Sequence, residues 1–272
     1  MSEAYIIDIV QREGRGAAEE LADQALDVAR ELAERTNIRP TDVHDVVLGC
    51  PADEGGAGSG LLRRVGTARL FGSGMACYLV DRGTASGLQA LGLAAQGVLS
   101  GQQDVVLAIG AQPVPPGMDG LDGAGESLPG NAVGGALIAG DRFTRRYRTP
   151  PTARVRRFTT ASAYGTSVVD GMVESAVRML MNETLNVDDV DVWEIYDGHA
   201  EHASDAAARL GLEAEQVNAV GGASKLGDIG AVAAFRSVVS GLDLLTRRDL
   251  STCAILAPGP GATGVAMLIE RM

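Results

Sequence analysis

The sequence is poor in the residues on which several classes of protein depend. It holds 3 cysteines, 3 histidines and 4% aromatic residues in a chain of 272. The cysteines, Cys50, Cys77 and Cys253, are far apart, so they predict neither a disulfide framework nor a zinc motif and fit a reducing compartment. No apolar run reaches the roughly 18 residues of a membrane span, and the first residues lack the pattern of a secretory signal. We therefore predict a cytoplasmic protein without a membrane span.

Positive charge is scarce as well. The chain has 23 Lys and Arg against 35 Asp and Glu, which gives a net charge of -12. Binding to nucleic acid needs a basic face that neutralises phosphates, so this charge argues against a nucleic-acid partner. Small and aliphatic residues are abundant, with 46% hydrophobic residues and 36 glycines. They predict a core of Ala, Val, Leu and Ile packed closely against glycine-containing turns.

The apolar residues follow strand and helix periods, and one order of elements occurs twice. In the first part of the chain we predict strands at 5–10, 43–48, 76–80, 105–109 and 132–139, and helices at 17–35, 61–70 and 86–99. In the second part we predict strands at 155–160, 192–195, 253–256 and 265–269, and helices at 171–185, 203–210 and 231–245. Helices 86–99 and 231–245 carry little charge, as burial between two sheets requires. Two βαβ-rich halves, 1–143 and 144–272, therefore predict an α/β fold with five layers, α/β/α/β/α.

Six segments resemble the thiolase superfamily in their order and approximate spacing. They are AYIIDIV, DVVLGC, DRGTASGLQALGLAAQGVLSGQQDVVLAIGAQ, DVDVWEIYDG, VNAVGGASKLGDIGA and GATGVAMLIER. The resemblance covers nearly the whole chain and implies the thiolase fold. It further implies a thioester of coenzyme A or phosphopantetheine as substrate, with no other cofactor.

The reactive residues of the family are replaced in this chain. Where thiolases have N-x-x-C-x-S-G-L-Q-A, with the nucleophilic cysteine at the start of a buried helix, this chain has Thr84. The histidine of G-H-P-x-G-A is replaced by Asp228, and the second cysteine falls near Ala257 or Pro258. A hydroxyl needs a general base before it can attack a thioester, so Thr84, or Ser86 beside it, is a candidate nucleophile only with such a base. Capping of the helix is the alternative role for Ser86.

A fourth family motif, N-E-A-F or H-D-C-F, is replaced by Y-D-G-H, which begins at Tyr196. A tyrosine there is similar to the thiolase-like aldolases of steroid side-chain degradation, which cleave a carbon–carbon bond and work with a small OB-fold partner. The family positions therefore imply Thr84, Tyr196 and Asp228 as catalytic candidates, with His199 beside them. The alternative is a core tyrosine whose hydroxyl is bound by a neighbour.

Thiolases insert a long loop domain between their halves, and only the 20 residues 111–130 stand in its place here. Rich in Gly, Pro and Asp, they predict a connection without elements of its own. Seven arginines lie within 142–157, and of these Arg145, Arg146 and Arg148 are candidate ligands for the phosphates of coenzyme A or for an acidic partner. The alternative is a solvated edge strand whose charges prevent aggregation.

His199 and His202 stand three positions apart with Asp205 nearby, a spacing that can hold a metal ion. The alternative is a polar helix start at which Asp197 or its neighbours accept the terminal N–H groups. We predict no metal site.

Two functional hypotheses follow. The leading one is a thiolase-like protein without ordinary thiolase activity, a non-catalytic partner or scaffold subunit in acyl-thioester metabolism. The resemblance implies pairing along the edge strand at 75–81, into a homodimer or a heterodimer with another thiolase-fold protein. The alternative is an enzyme of altered chemistry, a carbon–carbon lyase or an acyltransferase, with Tyr196, Asp228 and Thr84 facing one cavity.

Overall fold

The computed structural model describes residues 3–13, 18–51, 57–72, 75–114, 131–165 and 167–272. Within them the strands are β1 Tyr5–Glu13, β2 Asp45–Gly49, β3 Ala76–Val80, β4 Val105–Gln112, β5 Ala132–Ala139, β6 Ala153–Ser162, β7 Val192–Ile195, β8 Thr252–Pro258 and β9 Thr263–Arg271. The helices are α1 Ala18–Thr36, α2 Ala57–Gly66, α3 Ser86–Leu99, α4 Asp141–Tyr147, α5 Val168–Glu183, α6 Ala200–Leu210, α7 Ala223–Leu226 and α8 Ala233–Arg248. In this part of the chain, no helix is both long and apolar enough to cross a membrane.

The nine strands form one sheet with a mirrored order. That order is β3-β2-β4-β5-β1-β6-β9-β8-β7, and parallel pairing joins β2 to β3 and β4 in the first half and β7 to β8 in the second. The halves meet between β1 and β6, which pair only at Tyr5 with Arg154 and at Ile6 with Ala153. The two halves of the sheet are therefore joined only near the first residues of β1 and β6.

Alternate residues of each strand pack into different cores, which defines the layers. On β2, Val46 and Leu48 face an outer core shared with α1 and α2, whereas Val47 faces the middle core that contains α3 and α8. In the second half, Trp193 faces a further outer core with α5 and α6, whereas Val192 faces the middle core. This period of two places helices on both sides of each half-sheet. The predicted α/β/α/β/α fold is confirmed.

In the middle layer, the backbones of neighbouring elements lie close enough to touch at two glycines. A Cβ on Gly49, the last residue of β2, would lie 2.2 Å from the Ser86 carbonyl oxygen. A Cβ on Gly87 would lie 2.0 Å from the carbonyl oxygen of Ala231, which precedes α8. Any side chain at either glycine would push the elements apart, because real Cβ atoms do not approach other atoms so closely. Gly49 therefore lets β2 approach the start of α3, and Gly87 lets the start of α3 approach the segment that precedes α8.

Two expectations need correction. The segment 221–227, for which no helix or strand was predicted, contains the short helix α7. The arginine-rich strand β6 is not an edge strand, because it lies between β1 and β9. Its arginines are ion-paired instead, Arg154 with Glu270 and both Arg156 and Arg157 with Glu183.

Other expectations are outside what the structure describes or stay open. Residues 115–130, most of the segment expected to replace the loop domain, lie outside the described residues, as do residues 52–56. The expected boundary between halves at 143/144 falls within α4.

Candidate active site

A tight turn leads into α3 and holds Ser86. The Ser86 hydroxyl accepts a hydrogen bond from the Arg82 N–H (2.8 Å) and donates one to the Gly83 carbonyl (2.6 Å), while Asp81 accepts from the Gly83 N–H (2.8 Å). Gly83 has a φ of 56°, a left-handed conformation that favours glycine. Both hydrogen bonds of Ser86 therefore stabilise the turn, and the side chain is fully buried.

Tyr196 and Asp228 meet beside this turn. The Tyr196 hydroxyl donates a hydrogen bond to the Asp228 carboxylate at 2.8 Å, and the Thr84 hydroxyl lies within hydrogen-bonding reach of the same phenol. The Asp228 side chain is buried, and Tyr196 packs against the middle core. The structure therefore brings together three of the five catalytic candidates predicted from sequence.

Tyr196 is held in its protonated form. Burial is the main cause that raises the pKa of its phenol far above the usual value, and the charge of Asp228 and the hydrogen bond to it raise the pKa further. The phenol can therefore donate a proton toward Asp228 while its oxygen stays open to a second donor such as Thr84.

Gln112 positions Asp228, and sequence analysis had not singled it out. Asp228 accepts a hydrogen bond from the Gly230 N–H at 2.8 Å, and the buried Gln112, at the end of β4, accepts one from the Ala231 N–H at 2.9 Å. Gly230 has a φ of 49°, and a Cβ on it would lie 2.1 Å from the Gln112 side-chain oxygen. An amide at the end of a strand gives no recognisable motif in one sequence, so only the fold reveals this support.

Gly198 gives Tyr196 its space. A Cβ at position 198 would lie 2.1 Å from the Tyr196 phenol oxygen and 2.5 Å from the ring carbon that bears it. The glycine and the tyrosine are therefore coupled, since a larger residue at 198 would displace the hydroxyl from Asp228. The Y-D-G-H motif contained this signal in its glycine, which was not among the residues predicted to form the site.

A second buried acid lies on the same face of β7. Glu194 is 2% exposed, and because it precedes Tyr196 by two positions both side chains point into the middle layer. Burial, followed by the charge of Asp197, raises the pKa of Glu194 to about 8, whereas Arg236 and the Ser237 hydroxyl lower it. Sequence analysis had identified neither Glu194 nor Arg236.

The histidine pair belongs to the start of α6. His199 is exposed at the start of α6, and its ring centroid lies 5.0 Å from that of His202. Across the described ranges, no group of three His, Cys, Asp or Glu residues could hold a metal ion. Asp197 does not cap α6 as one interpretation had it, because its carboxylate accepts from the Ala223 N–H and from the Ser224 hydroxyl at the start of α7.

The three cysteines pack in or against the hydrophobic cores. Cys50 and Cys77 pack in the outer core of the first half, and Cys253 lies near the start of β8. Burial raises the pKa of Cys77 to about 12 and that of Cys253 well above its usual value. Cys77 and Cys253 are therefore held as thiols rather than as reactive thiolates. Between β8 and β9, Pro260 faces the turn that precedes Thr84. A Cβ on Gly83 would lie 3.8 Å from the Pro260 ring.

The three arginines proposed to bind phosphates lie at the opposite end of the sheet. Arg145 and Arg146 are on α4, and Arg148 follows it in a left-handed conformation. Arg146 is 4.0 Å from Asp42, beside the amino ends of β2 and β4. The eight residues of β4 span about 23 Å at roughly 3.3 Å per residue. The structure does not bring these arginines to Thr84 and Tyr196.

Comparison with solved structures shows the same fold in two enzymes. The acetyl-CoA acetyltransferase of Bacillus anthracis superposes with a TM-score of 0.83 at 17% identity, covering 100% of this chain and 99% of that chain. The Acat5 thiolase from Ascaris suum, solved in complex with coenzyme A, superposes with a TM-score of 0.85 at 16% identity, covering 99% of this chain and 100% of that chain.

Curated sequences match over shorter stretches. The steroid 3-ketoacyl-CoA thiolase FadA6 of Mycobacterium tuberculosis is 35% identical over 117 residues, 41% of this chain and 29% of that protein. An acetyl-CoA acetyltransferase of Escherichia coli is 31% identical over 159 residues, 56% of this chain and 40% of that protein. The aligned parts thus span less than half the length of these relatives.

Family models match both halves of the chain in order. The thiolase N-terminal domain matches residues 3–114, and the thiolase C-terminal domain matches residues 149–271. Together they cover most of the sequence and include every position compared above with the reactive residues of thiolases. The chain therefore belongs to the thiolase family.

Proposed function

We propose that this protein is an enzyme that uses the thiolase fold without thiolase chemistry, as a carbon–carbon lyase acting on a 3-hydroxyacyl thioester. The observation that carries the proposal is the buried hydrogen bond of 2.8 Å between Tyr196 and Asp228, with Thr84 within reach of the same phenol. A protonated acid next to a carboxylate can move a proton in either direction, which is what such a cleavage needs.

The proposed reaction is a retro-aldol cleavage. The substrate hydroxyl gives its proton to the phenol oxygen of Tyr196 as the phenol proton passes to Asp228. The bond between Cα and Cβ breaks, its electron pair forms the enolate of the thioester, and Cβ becomes a ketone or aldehyde. The proton then returns through Tyr196 to Cα, so the proton lost by the hydroxyl ends on the shortened thioester. Thr84, at the amino end of α3, is placed to donate to the thioester oxygen, where the helix dipole favours developing negative charge.

This reaction requires no acyl-enzyme, so the replacement of the family cysteine by Thr84 is compatible with it. Burial of Asp197, Asp228 and Glu194 further supports catalysis over a purely structural role. Each buried carboxyl group costs stability unless it is well paired, and such groups collect at functional sites. A subunit that served only as a scaffold would be more stable with apolar residues at these positions.

The choice of a thioester rests on the family. The relatives are named as a 3-ketoacyl-CoA thiolase and acetyl-CoA acetyltransferases, and one neighbouring structure contains coenzyme A. We propose that the acyl group reaches this protein on coenzyme A or on a phosphopantetheine carrier, and that a small OB-fold protein is a candidate partner.

The test is a cleavage assay with 3-hydroxyacyl thioesters of coenzyme A and of phosphopantetheine, with both products identified by mass spectrometry. Tyr196→Phe and Asp228→Asn should each lower kcat/KM by about 10²- to 10⁴-fold, the usual effect of losing a proton-transfer group. Tyr164→Phe, at an exposed tyrosine, is the matched control and should leave the rate unchanged. No acylated residue should be detected in the intact protein.

A non-catalytic partner subunit is the second candidate. It is supported by the threonine that stands at the position of the family cysteine and by the apolar edge strand β3, on which Tyr78 is 39% exposed. Failure of the protein to cleave any of these thioesters, together with capture of an intact thiolase-fold partner whose activity depends on it, would favour this function over the lyase.

A further inference from the structure

A small cavity lies between β7 and α8, directly behind Tyr196. Its lining includes Glu194, Asp197, Asn218, Arg236 and Ser237. The guanidinium of Arg236 donates a hydrogen bond to the Gly227 carbonyl at 2.8 Å and interacts electrostatically with the acids Asp228, Asp197 and Glu194. We call Arg236 and these three acids the charge cluster. Three acids against one guanidinium cannot all be ionised at low cost, since burial strengthens the repulsion between like charges.

Hydrogen bonding indicates which acid keeps the proton. Asp197 accepts from the Ala223 N–H and the Ser224 hydroxyl, and Asp228 accepts from Tyr196 and from the Gly230 N–H. These donors stabilise ionised carboxylates.

The carboxyl group of Glu194 receives fewer hydrogen bonds than those of Asp197 and Asp228. The Ser237 hydroxyl bonds to its side chain, but its Oε1 atom is buried without a hydrogen-bond partner. An ionised carboxylate with a bare buried oxygen is costly, whereas a carboxylic acid is not.

The groups that face Glu194 agree with this assignment. The charge of Asp197 opposes the ionisation of Glu194. Arg236 favours this ionisation, but its effect is smaller than the opposing effect of burial. From β8, the buried thiol of Cys253 faces Glu194 and is itself kept protonated. Burial leaves the Glu194 carboxyl with a pKa raised to about 8.

We propose that Glu194 acts as an uncharged carboxylic acid that leaves the charge of Arg236 to Asp228 and Asp197, so that Glu194 and Arg236 together determine the charge that faces the Tyr196–Asp228 hydrogen bond. Both are positioning residues, since they act through Asp228. The proposal rests on the proposed function where it concerns turnover. When Glu194 ionises, Arg236 is drawn toward it and stabilises Asp228 less, so the base that receives the substrate proton is altered.

The charge state is tested first, without substrate. Infrared difference spectra recorded from about pH 6 to about pH 10 should show a buried carboxylic-acid C=O band that disappears near pH 8. Glu194→Gln should abolish the band, and Glu215→Gln, at an exposed glutamate, should leave it intact. Arg236→Gln should move its disappearance to higher pH, because a favourable charge is lost. The proposal is overturned if the band is missing at neutral pH in the unaltered protein, or if Arg236→Gln leaves its titration where it was.

Turnover is tested second. The unaltered enzyme should lose kcat/KM above about pH 8, and Glu194→Gln should lack this decline, because an amide cannot ionise. Arg236→Gln should lower kcat/KM by about tenfold or more, with partial recovery in Arg236→Lys, which restores a positive charge. An unchanged alkaline decline in Glu194→Gln contradicts the proposal. A normal infrared titration with no turnover of any thioester contradicts the lyase function instead, so the two failures are distinguishable.

Discussion

At the scale of single residues, the candidate site depends on a large side chain at position 196 next to a glycine at position 198. A tyrosine stands where thiolases have a smaller asparagine or histidine, and its hydroxyl reaches Asp228 because Gly198 has no side chain.

Gly198→Ala should therefore damage the site. A methyl group 2.1 Å from the phenol oxygen must displace Tyr196, and a displacement of about 1 Å at a catalytic group can cost about a hundredfold in kcat/KM. Cleavage assays measure the activity, and urea denaturation measures a stability loss of about 1–3 kcal/mol. Gly60→Ala is the control, because a Cβ there meets nothing within 4 Å, and it should stabilise α2 by about 0.5–1 kcal/mol. Full activity in Gly198→Ala would contradict the coupling of Gly198 to Tyr196.

Glu194 should give the stability of the protein a pH dependence of definite sign. Its pKa is raised from 4.5 to about 8 on folding, so between these values the folded state holds a proton that the unfolded state has lost. The contribution of Glu194 is fully present below pH 4.5 and falls as the pH rises toward 8, by at most about 1.4 kcal/mol per pH unit. Urea denaturation at several pH values should show a smaller fall in Glu194→Gln, while Glu215→Gln follows the unaltered protein. Parallel curves for the unaltered protein and Glu194→Gln would show that the folded-state pKa is not raised.

At the scale of elements, the two edges of the sheet differ. Along β7 the edge is closed by Asn218, which accepts a hydrogen bond from the Ile195 N–H and donates one to the Ile195 carbonyl, both at 2.8 Å. Asn218 has a φ of 46°, a conformation that asparagine tolerates better than most residues. Its side-chain amide thus takes the place of a neighbouring strand.

Asn218→Ala should open this edge. The substitution removes both hydrogen bonds and places an alanine at a positive φ, which alanine tolerates less well than asparagine. The free energy of unfolding should therefore fall by about 1–3 kcal/mol. Chemical denaturation measures the loss, and amide hydrogen exchange should accelerate at Ile195. Asn182→Ala, at an exposed position of α5, is the control and should change stability little. Unaltered exchange at Ile195 would mean that Asn218 does not protect the edge.

Element boundaries followed from local patterns to different degrees. For α3, β3, β5 and β7, whose apolar residues end at clear breaks, the predicted boundaries agree with the structure. The predicted 61–70 helix extends too far, because α2 ends at Gly66 and the apolar residues that follow belong to a short 3₁₀ turn, Arg69–Phe71. Hydrophobic periodicity does not distinguish one continuous α-helix from a helix followed by a 3₁₀ turn. In both, apolar residues recur every three or four positions.

At the scale of the whole molecule, the open edge is β3. Its partner on one side is β2, and its outer side carries an apolar set in which Tyr78 is 39% exposed. Exposed strand edges without charges favour pairing with another strand. We therefore expect two copies of this chain, or this chain and a related one, to pair along β3.

Tyr78→Lys should separate such a dimer, because a charge on the outer face of each β3 would be buried beside its counterpart. Light scattering over a concentration series should show a shift from dimer to monomer, and circular dichroism should show that the fold is retained. Tyr164→Lys adds the same charge at another exposed tyrosine and should leave the dimer intact. A dimer that resists Tyr78→Lys would place the interface elsewhere, and an unaltered protein that is monomeric alone would favour a heterodimer.

The amino-acid sequence by itself determined the family and the five layers, and it predicted that Thr84 and Asp228 replace the reactive cysteine and histidine. All of these are read from short motifs and from the periods of strands and helices, which depend on neighbours along the chain. Only the tertiary structure decided that Tyr196 and Asp228, 32 positions apart, share a hydrogen bond, that Glu194 lies beneath them without a full set of donors, and that β6 is interior. These facts depend on contacts between distant segments, whose burial and spacing arise only when the two halves pack around α3 and α8.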